Sequence, residues 1–407
     1  DEQGKPLQSK QADISVLLVN DEYGGNSTMN RRVAQLLLKH GAKVYSTALK
    51  ATEEDKRCAA NDGVNLLLPE IKSDMRPSLD WLTYYSGYHY PNIPRNLQYI
   101  VGYADVAGKA AKNIKEERCQ EAKLVLFNHD MPDENTTKKA ADKVTTIIKD
   151  AKSSDAVFSV GNRIYTHFET KYKSLQEIEP RHHYLFLPRA SPVSEATDAQ
   201  PGGGERLVLI FARMSEVMAQ KGIDLAARAM GYAAEMIGNM SWVVRWIQED
   251  EDDWGKNKKT LEKKMQSPRI KPTIRPDGTQ EEIARDIQHA HLVMVTSRSE
   301  PFGLIGLEAI AAGIPVLIPD QSGLADMIKD LIRNNKCHAD MRHRILVTSG
   351  PKESDMDATA RRWADKISDS LEFSSHEFEK AAEFKKKLLE SKYWEESHNN
   401  LLRVFGL

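Results

Sequence analysis

Cysteine is scarce in this 407-residue chain. Cys58, Cys119 and Cys337 are odd in number, far apart and in no metal-ligand spacing, so they read as reduced thiols of an intracellular protein. Charge of one sign is also missing. Lys and Arg number 57 against 59 Asp and Glu, a formal net charge of −2, which gives no electrostatic reason to expect nucleic acid or an acidic membrane as a partner. No apolar run reaches the length of a membrane span, and the stretch Asp1 to Asp13 is polar rather than signal-like. No repeat of solenoid period recurs. The chain opens on Asp1, which reads as a domain excised from a longer protein. Asn26-Ser-Thr28, Asn135-Thr-Thr137 and Asn239-Met-Ser241 fit the glycosylation acceptor pattern. A glycan on Asn26 would fill a loop that other features assign to a site, so the expected location is cytoplasmic with Asn26 unmodified.

What the chain does have is length for two cores and a strict alternation of short apolar runs with amphipathic ones. Strands are expected at Ile14 to Asn20, Val44 to Leu49, Val64 to Leu68, Tyr99 to Val101, Leu124 to Asn128 and Val157 to Val160, with a helix from Ser27 to His40. Ser73 to Arg95, rich in Tyr and Pro, breaks that rhythm. After a linker rich in Pro and Gly, a second series runs Leu207 to Ala212, Trp242 to Ile247, Ile270 to Ile274, Leu292 to Thr296, Val316 to Ile318 and Ile345 to Val347. Thr279 to Glu282 reads as a capping box, and the charged run Glu377 to Lys387 as a solvated helix face. Alternating strands and helices imply parallel, doubly wound sheets. The expected class is α/β: two Rossmann-like domains over residues 1–190 and 205–375 facing a central cleft, joined by a linker over 191–204. Helices over 376–407 are expected to pack back on the first domain.

One stretch concentrates the chemistry. Leu292 to Thr296 ends in a turn at Pro301 and Gly303, Leu304 to Ala312 follows as a short apolar helix, and Gly313 sits where a left-handed C-cap belongs. Free N–H groups and the positive end of the helix dipole at that turn favour an anion such as a phosphate. Glu300 precedes the turn, and Glu308 lies in the helix about 6 Å along the axis from Leu304, so it can reach back beside the helix mouth. Carboxylates accept paired hydrogen bonds, which suits vicinal sugar hydroxyls. Spacing alone equally allows a surface turn residue and a solvated helix position.

Glu300-Pro-Phe-Gly-Leu-Ile-Gly-Leu-Glu308, followed by Ala-Ile-Ala-Ala-Gly-Ile-Pro-Val, closely resembles the donor-site signature of retaining glycosyltransferases of family four, the glycogen synthase and sucrose synthase type. The resemblance implies a glycosyltransferase-B fold, with the acceptor on the first domain and the donor on the second. It implies that Glu300 contacts hydroxyls of the transferred sugar, that Glu308 holds the ribose, and that the backbone of Phe302, Gly303 and Leu304 approaches sugar and phosphates.

Other candidates fall at strand ends. Gly24 and Gly25 open a helix after the first strand but lack the third glycine of a dinucleotide fingerprint; by resemblance they border the donor phosphate and acceptor. His129 closes Leu124-Val-Leu-Phe-Asn-His. A histidine there is more often structural than chemical; by resemblance it lines the reaction centre, with Asp130 placed to orient it. Arg213 ends its strand and Lys221 follows, and the resemblance assigns them to the donor diphosphate, where cations stabilise departing charge. The acidic run Glu249 to Asp253 lacks the histidine or turn glycine of a cation site and reads as a solvated loop. No metal and no cofactor are expected, the family resembling others of its fold in working without a catalytic metal. The chain departs from the family at Gln248 and the acidic run, where a glycine-rich turn commonly lies near the nucleotide.

The expected activity is transfer of a hexosyl unit from a nucleoside diphosphate sugar, uridine favoured over guanosine, to an unidentified carbohydrate or other hydroxyl acceptor. By resemblance the departing phosphate helps deprotonate the acceptor. The alternatives are a non-catalytic sugar-nucleotide sensor within a larger protein and an epimerase or phosphorylase on the same fold. Oligomeric state is not legible.

Overall fold

A computed structural model describes residues 13–23, 28–72, 74–103, 107–131, 138–175, 182–213, 217–247, 254–276, 278–298, 300–348 and 355–407. The first lobe is built on seven strands: β1 Ser15–Val19, β2 Lys43–Thr47, β3 Asn65–Leu67, β4 Tyr99–Tyr103, β5 Lys123–Asn128, β6 Ala156–Val160 and β7 His183–Phe186. They lie in the order β3-β2-β1-β4-β5-β6-β7, every pair parallel. The second lobe has β8 Arg206–Arg213, β9 Met240–Ile247, β10 Pro272–Arg275, β11 Leu292–Met294, β12 Val316–Pro319 and β13 Ile345–Leu346. Their order is β10-β9-β8-β11-β12-β13, again parallel throughout.

Burial on both faces explains the near-continuous apolar runs. All five residues of β4 and of β6 are buried, as a parallel sheet covered by helices requires. β7 is the strand the sequence did not announce. It is an edge strand of four residues with half-buried centre positions, so neither a long apolar run nor an alternation marks it.

Local chemistry departs from expectation at three places. Thr279 does cap the helix Gln280–His289 by accepting from Glu282 N, but the Glu282 carboxylate faces Arg245 at 3.9 Å. The full reciprocal box lies at Thr52 and Asp55. The Tyr-rich excursion contains two short helices, Leu79–Thr83 and Ser86–His89, pinned by Trp81 stacked on His89 and by Tyr90 Oη donating to Ala48 O at 2.7 Å. The run Glu377 to Lys387 is solvated on one face only: Glu379, Glu383 and Lys386 are exposed, and the opposite face packs inward. In the helix Ser374–Ser391 it buries Phe378, Ala381, Phe384 and Leu388, pairs the largely buried Glu377 with Arg344 and ties Lys385 to Thr197 O.

The last helix, Glu395–Val404, lies on the first lobe. Ser397 Oγ accepts from Leu187 N at 2.9 Å, His398 Nε2 meets Leu187 O at 2.9 Å and Phe405 packs on Tyr99. Burial pulls the His398 imidazole down to about 4 against the opposing pull of the Leu187 carbonyl, so it is neutral and donates. One hydrophobic core runs from the first sheet through Phe302, Leu307 and Ile310 of the second lobe, and a second core fills the space behind β8 and β9. Among the described residues no helix is long and apolar enough to cross a membrane.

Candidate active site

Both sheets reverse their strand order once, between β1 and β4 and between β8 and β11. Open parallel sheets bind ligands outside the C-terminal strand ends at such switch points. One strand beyond the switch point of the first lobe, His129 follows β5 directly and is exposed. Its ring stands edge-on to Tyr103, the last residue of β4, with centroids 5.7 Å apart. Asp130 Oδ1 accepts from Met131 N at 2.9 Å. At the second switch point Arg213 ends β8, and Gly222 abuts the end of β11 so closely that a Cβ would lie 3.0 Å from Thr296 O. Thr296 Oγ1 donates to Gly222 O at 2.7 Å, which fixes the backbone beside Lys221 at that edge. Gly24, Gly25, Gln248 and the run Glu249 to Asp253 lie outside the described residues, as do the side chains of Arg213 and Lys221.

The turn after β11 is built as the sequence suggests. Gly303 has φ +111° at the N-cap of the helix Leu304–Ala311, a left-handed conformation that glycine adopts without Cβ strain. Gly313 closes the helix with φ +75°. Glu300 is half-buried and its backbone is strapped to the neighbouring chain: its N–H donates to Gln321 O at 2.9 Å, and its carbonyl accepts from Gly323 N at 3.2 Å. The turn therefore presents Glu300 beside a helix N-terminus, at the end of the central strand of its lobe.

Glu308 is buried, 7 % exposed, and its carboxylate is fully engaged. It accepts from Ser191 N at 2.9 and 3.1 Å, Ser191 Oγ at 2.8 Å, Ser194 Oγ at 2.5 Å and Arg32 Nη2 at 3.0 Å. A carboxylate offers about four lone-pair directions, so a ribose hydroxyl reaching Glu308 has to displace one of these donors. The short helix Pro192–Ala196, in the segment between the lobes, is thereby anchored to the helix Leu304–Ala311.

Arg31 and Arg32 are residues that sequence reasoning missed. Both sit in the first turns of the helix Thr28–Lys39, where the dipole disfavours cations. Two arginines at the wrong end of a helix were the available signal that they answer to something else. Arg31 is 4 % exposed. It holds Asp62 with Nε at 2.6 Å and Nη2 at 3.1 Å, and crosses to Glu281 of the second lobe at 2.7 Å. Burial raises the Glu281 carboxyl, but hydrogen bonds and charge from Arg31 outweigh it and hold the group at about 2. Cys58 Sγ lies 3.6 Å from the same carboxylate, and burial foremost pushes the thiol up to about 11. Glu54, Cys58 and Glu281 bring potential metal-ligand atoms within 4.8 Å of one another, with Glu281 already held by Arg31.

Behind His129 runs a buried polar chain. His183 Nδ1 meets Glu169 Oε2 at 2.7 Å and its Nε2 meets Ser159 Oγ at 2.7 Å. Asn128 Nδ2 donates to Ser159 Oγ at 3.2 Å and to Tyr172 Oη at 3.0 Å. Burial lowers the His183 pKa against the pull of Glu169. A neutral ring that donates to the carboxylate must accept from Ser159, which in turn accepts from Asn128. The chain thus sets the amide orientation of the residue preceding His129.

A family model described as "Family 4 Glycosyltransferase in conflict systems" matches residues 18–401. By sequence, no curated protein matches the chain. Among solved structures, a glycosyltransferase from Rickettsia africae superposes with a TM-score of 0.63 at 12 % identity, covering 97 % of this chain and 98 % of that one. Sucrose-phosphate synthase from Thermosynechococcus elongatus gives 0.64 at 13 %, covering 96 % and 98 %. HepE from Anabaena, solved with UDP and glucose, gives 0.64 at 12 %, covering 96 % and 99 %. At such identities the likeness shows the fold, and that fold is glycosyltransferase-B.

Proposed function

We propose, since the chain belongs to the family 4 glycosyltransferases of conflict systems, that it moves a hexosyl unit from a nucleoside diphosphate sugar to a hydroxyl acceptor with retention of configuration. The observation that carries this reading is the turn at the second switch point. A left-handed Gly303 opens the helix Leu304–Ala311 with Glu300 beside it, a cradle for a phosphate with a carboxylate for sugar hydroxyls. The backbone of Phe302, Gly303 and Leu304 approaches sugar and phosphates, and Arg213 and Lys221 neutralise the diphosphate as the glycosidic bond breaks. In this reading His129 lines the reaction centre from the acceptor lobe, and Gly24 and Gly25 border the donor phosphate and acceptor. The departing phosphate takes the acceptor proton on the same face of the sugar, so no covalent nucleophile is assigned. A uridine nucleotide is the first donor to try, since a neighbour of the same fold holds UDP and glucose.

A sugar-nucleotide-binding protein without turnover is the second reading, favoured by the occupied carboxylate of Glu308. Thermal shift tests both. A donor at a hundredfold excess over its dissociation constant stabilises the binding state by about 2.7 kcal/mol. If no nucleoside diphosphate sugar moves any transition at millimolar concentration, both readings fail. Binding of a labelled donor without its transfer or hydrolysis selects the second.

A further inference from the structure

Phe302 is 3 % exposed, and a glycine from each lobe lies against its ring. Gly161, at the corner where β6 passes into the helix Asn162–Leu175, has φ +84°, and a Cβ there would come within 2.7 Å of Phe302 Cδ2 and 3.4 Å of Cε2. On the second lobe, a Cβ on Gly323 would lie 3.1 Å from the same Cδ2 and 2.5 Å from Pro301 O. Neither position has room for a side chain while the ring is in place. Two residues beyond Gly161, Arg163 grips Asp326 with Nε at 2.8 Å and Nη2 at 3.1 Å and reaches Gln321 Oε1 at 3.2 Å. Gln321 and Gly323 are the residues that strap the backbone of Glu300. The first lobe therefore holds the Glu300 turn at two points, one apolar and one ionic.

We propose that Gly161, Arg163 and Phe302 are positioning residues for glycosyl transfer: the ring seated on Gly161 sets the distance and angle at which Glu300 faces the strand ends of the acceptor lobe. A bulkier residue at 161 wedges the lobes apart, and a lost Arg163 lets the turn rotate about the ring. The proposal rests on the transfer reaction for its turnover arm and on geometry alone for its distance arm.

The test uses the full chain. Gly161→Ala is made with and without Phe302→Leu, and Arg163→Gln serves as a second variant that leaves the backbone untouched. Turnover, affinity for the free nucleoside diphosphate, and the distance between a spin label on each lobe are read for all. Displacing a reacting group by about 1 Å costs up to roughly a hundredfold in rate. Gly161→Ala is expected to lower turnover about ten- to a hundredfold, to leave nucleotide affinity within about twofold, and to lengthen the distance between lobes. Phe302→Leu in the same chain restores most of both, because it makes room for the new Cβ. Arg163→Gln lowers turnover by a smaller factor and broadens the distance distribution. Equal damage from Gly161→Ala with and without Phe302→Leu would trace it to backbone strain at positive φ and overturn the proposal. So would unchanged distances in Gly161→Ala and Arg163→Gln beside normal turnover, with the transferase reading left standing. Distances that move and recover as described, in a protein that transfers no sugar, keep the seat and remove the transferase reading instead.

Discussion

The lobes touch on both flanks of the helix Leu304–Ala311, and the two contacts are made of opposite materials. At the turn end, a buried ring rests on two glycines, and the accompanying pair Arg163–Asp326 is 21 % and 32 % exposed. At the Glu308 end, Arg31 and Arg32 bring charge into the interior, with Arg31 and Asp62 5 % and 8 % exposed and Arg32 and Glu308 12 % and 9 %. Buried charges cost several kcal/mol each to desolvate and are stable only with every partner present. A ring on a glycine surface has no charge to strand: thinning it costs only the apolar packing it loses, whereas an added methyl has no room at all. The Glu308 flank is therefore sensitive to deletion and the Phe302 flank to addition.

The largest expected effect follows from that contrast. Arg31→Ala leaves the Asp62 carboxylate with only neutral donors, Tyr23 Oη at 2.6 Å and Gln35 Nε2 at 3.3 Å, removes the partner of Glu281, and should destabilise by about 3 kcal/mol, the lower end of the usual cost of breaking a buried pair. Arg163→Ala removes a pair of the same type and geometry that water reaches, and should cost at most about 1 kcal/mol. Denaturant unfolding of both variants measures the difference. Equal values would mean that burial does not separate the two flanks.

The next effect separates the two glutamates. Glu300→Gln alters a group proposed to act where charge and geometry change, so turnover should fall by roughly one to three powers of ten, about 1.4 kcal/mol per tenfold. Its affinity for free nucleoside diphosphate should stay nearly constant. If a donor ribose displaces one of the groups that now hold Glu308, Glu308→Gln should raise the Michaelis constant for the donor and weaken the free nucleotide, as loss of uniform binding does. Unchanged affinity would leave Glu308 as a tie between the lobes. The substitution should also lower the unfolding midpoint, because Arg32 loses its charged partner. Calorimetry with the free nucleotide and thermal unfolding check both. The opposite pattern would reverse the roles given to the two residues.

Much of this molecule was legible because parallel strands buried on both faces leave unbroken apolar runs, and because Gly303 and Gly313 mark the ends of the helix Leu304–Ala311 in the sequence itself. The turn was readable since every part of it is local. What joins the lobes was not. Arg31 meets Glu281 across 250 residues, Arg32 meets Glu308 across 276, and Gly161 meets Phe302. No period or spacing encodes such pairs. Only indirect signs existed: cations at a helix start, two serines flanking Pro192 and Val193, and a glycine directly after a buried strand. The run Glu377 to Lys387 was legible on its solvated face, where Glu379, Glu383 and Lys386 are exposed, and its packing face was missed. Its lysines and glutamates alternate with Phe378, Ala381, Phe384 and Leu388 at helical spacing, and the apolar stripe decides its packing.

The smallest expected effect concerns pH and the Arg31 flank alone. The Glu281 carboxyl stands at about 2 in the folded protein against an ordinary 4.5. A depressed carboxyl contributes stability that is fully present above the unfolded value and is lost as pH falls through the folded one. The contact between Arg31 and Glu281 should therefore hold at pH 4.5 and above and weaken as pH falls towards 2. The Glu281 side chain is 44 % exposed, so solvent screens the pair and its share should stay below about 1 kcal/mol. That is too little to unfold a lobe but enough to loosen one flank of a two-point closure. Labels placed on each lobe should report a longer or broader distance on acidification through this range, and Glu281→Gln should already show at neutral pH the distance that the unaltered protein reaches in acid. The turn flank, held by Phe302 on Gly161, has no titrating group in its apolar contact and should keep Glu300 in place meanwhile. An unaltered protein whose distance does not move through this range, or a Glu281→Gln variant with the same acid profile, would show that the lobes are held at the Phe302 flank and that Arg31 serves only the fold of its own lobe.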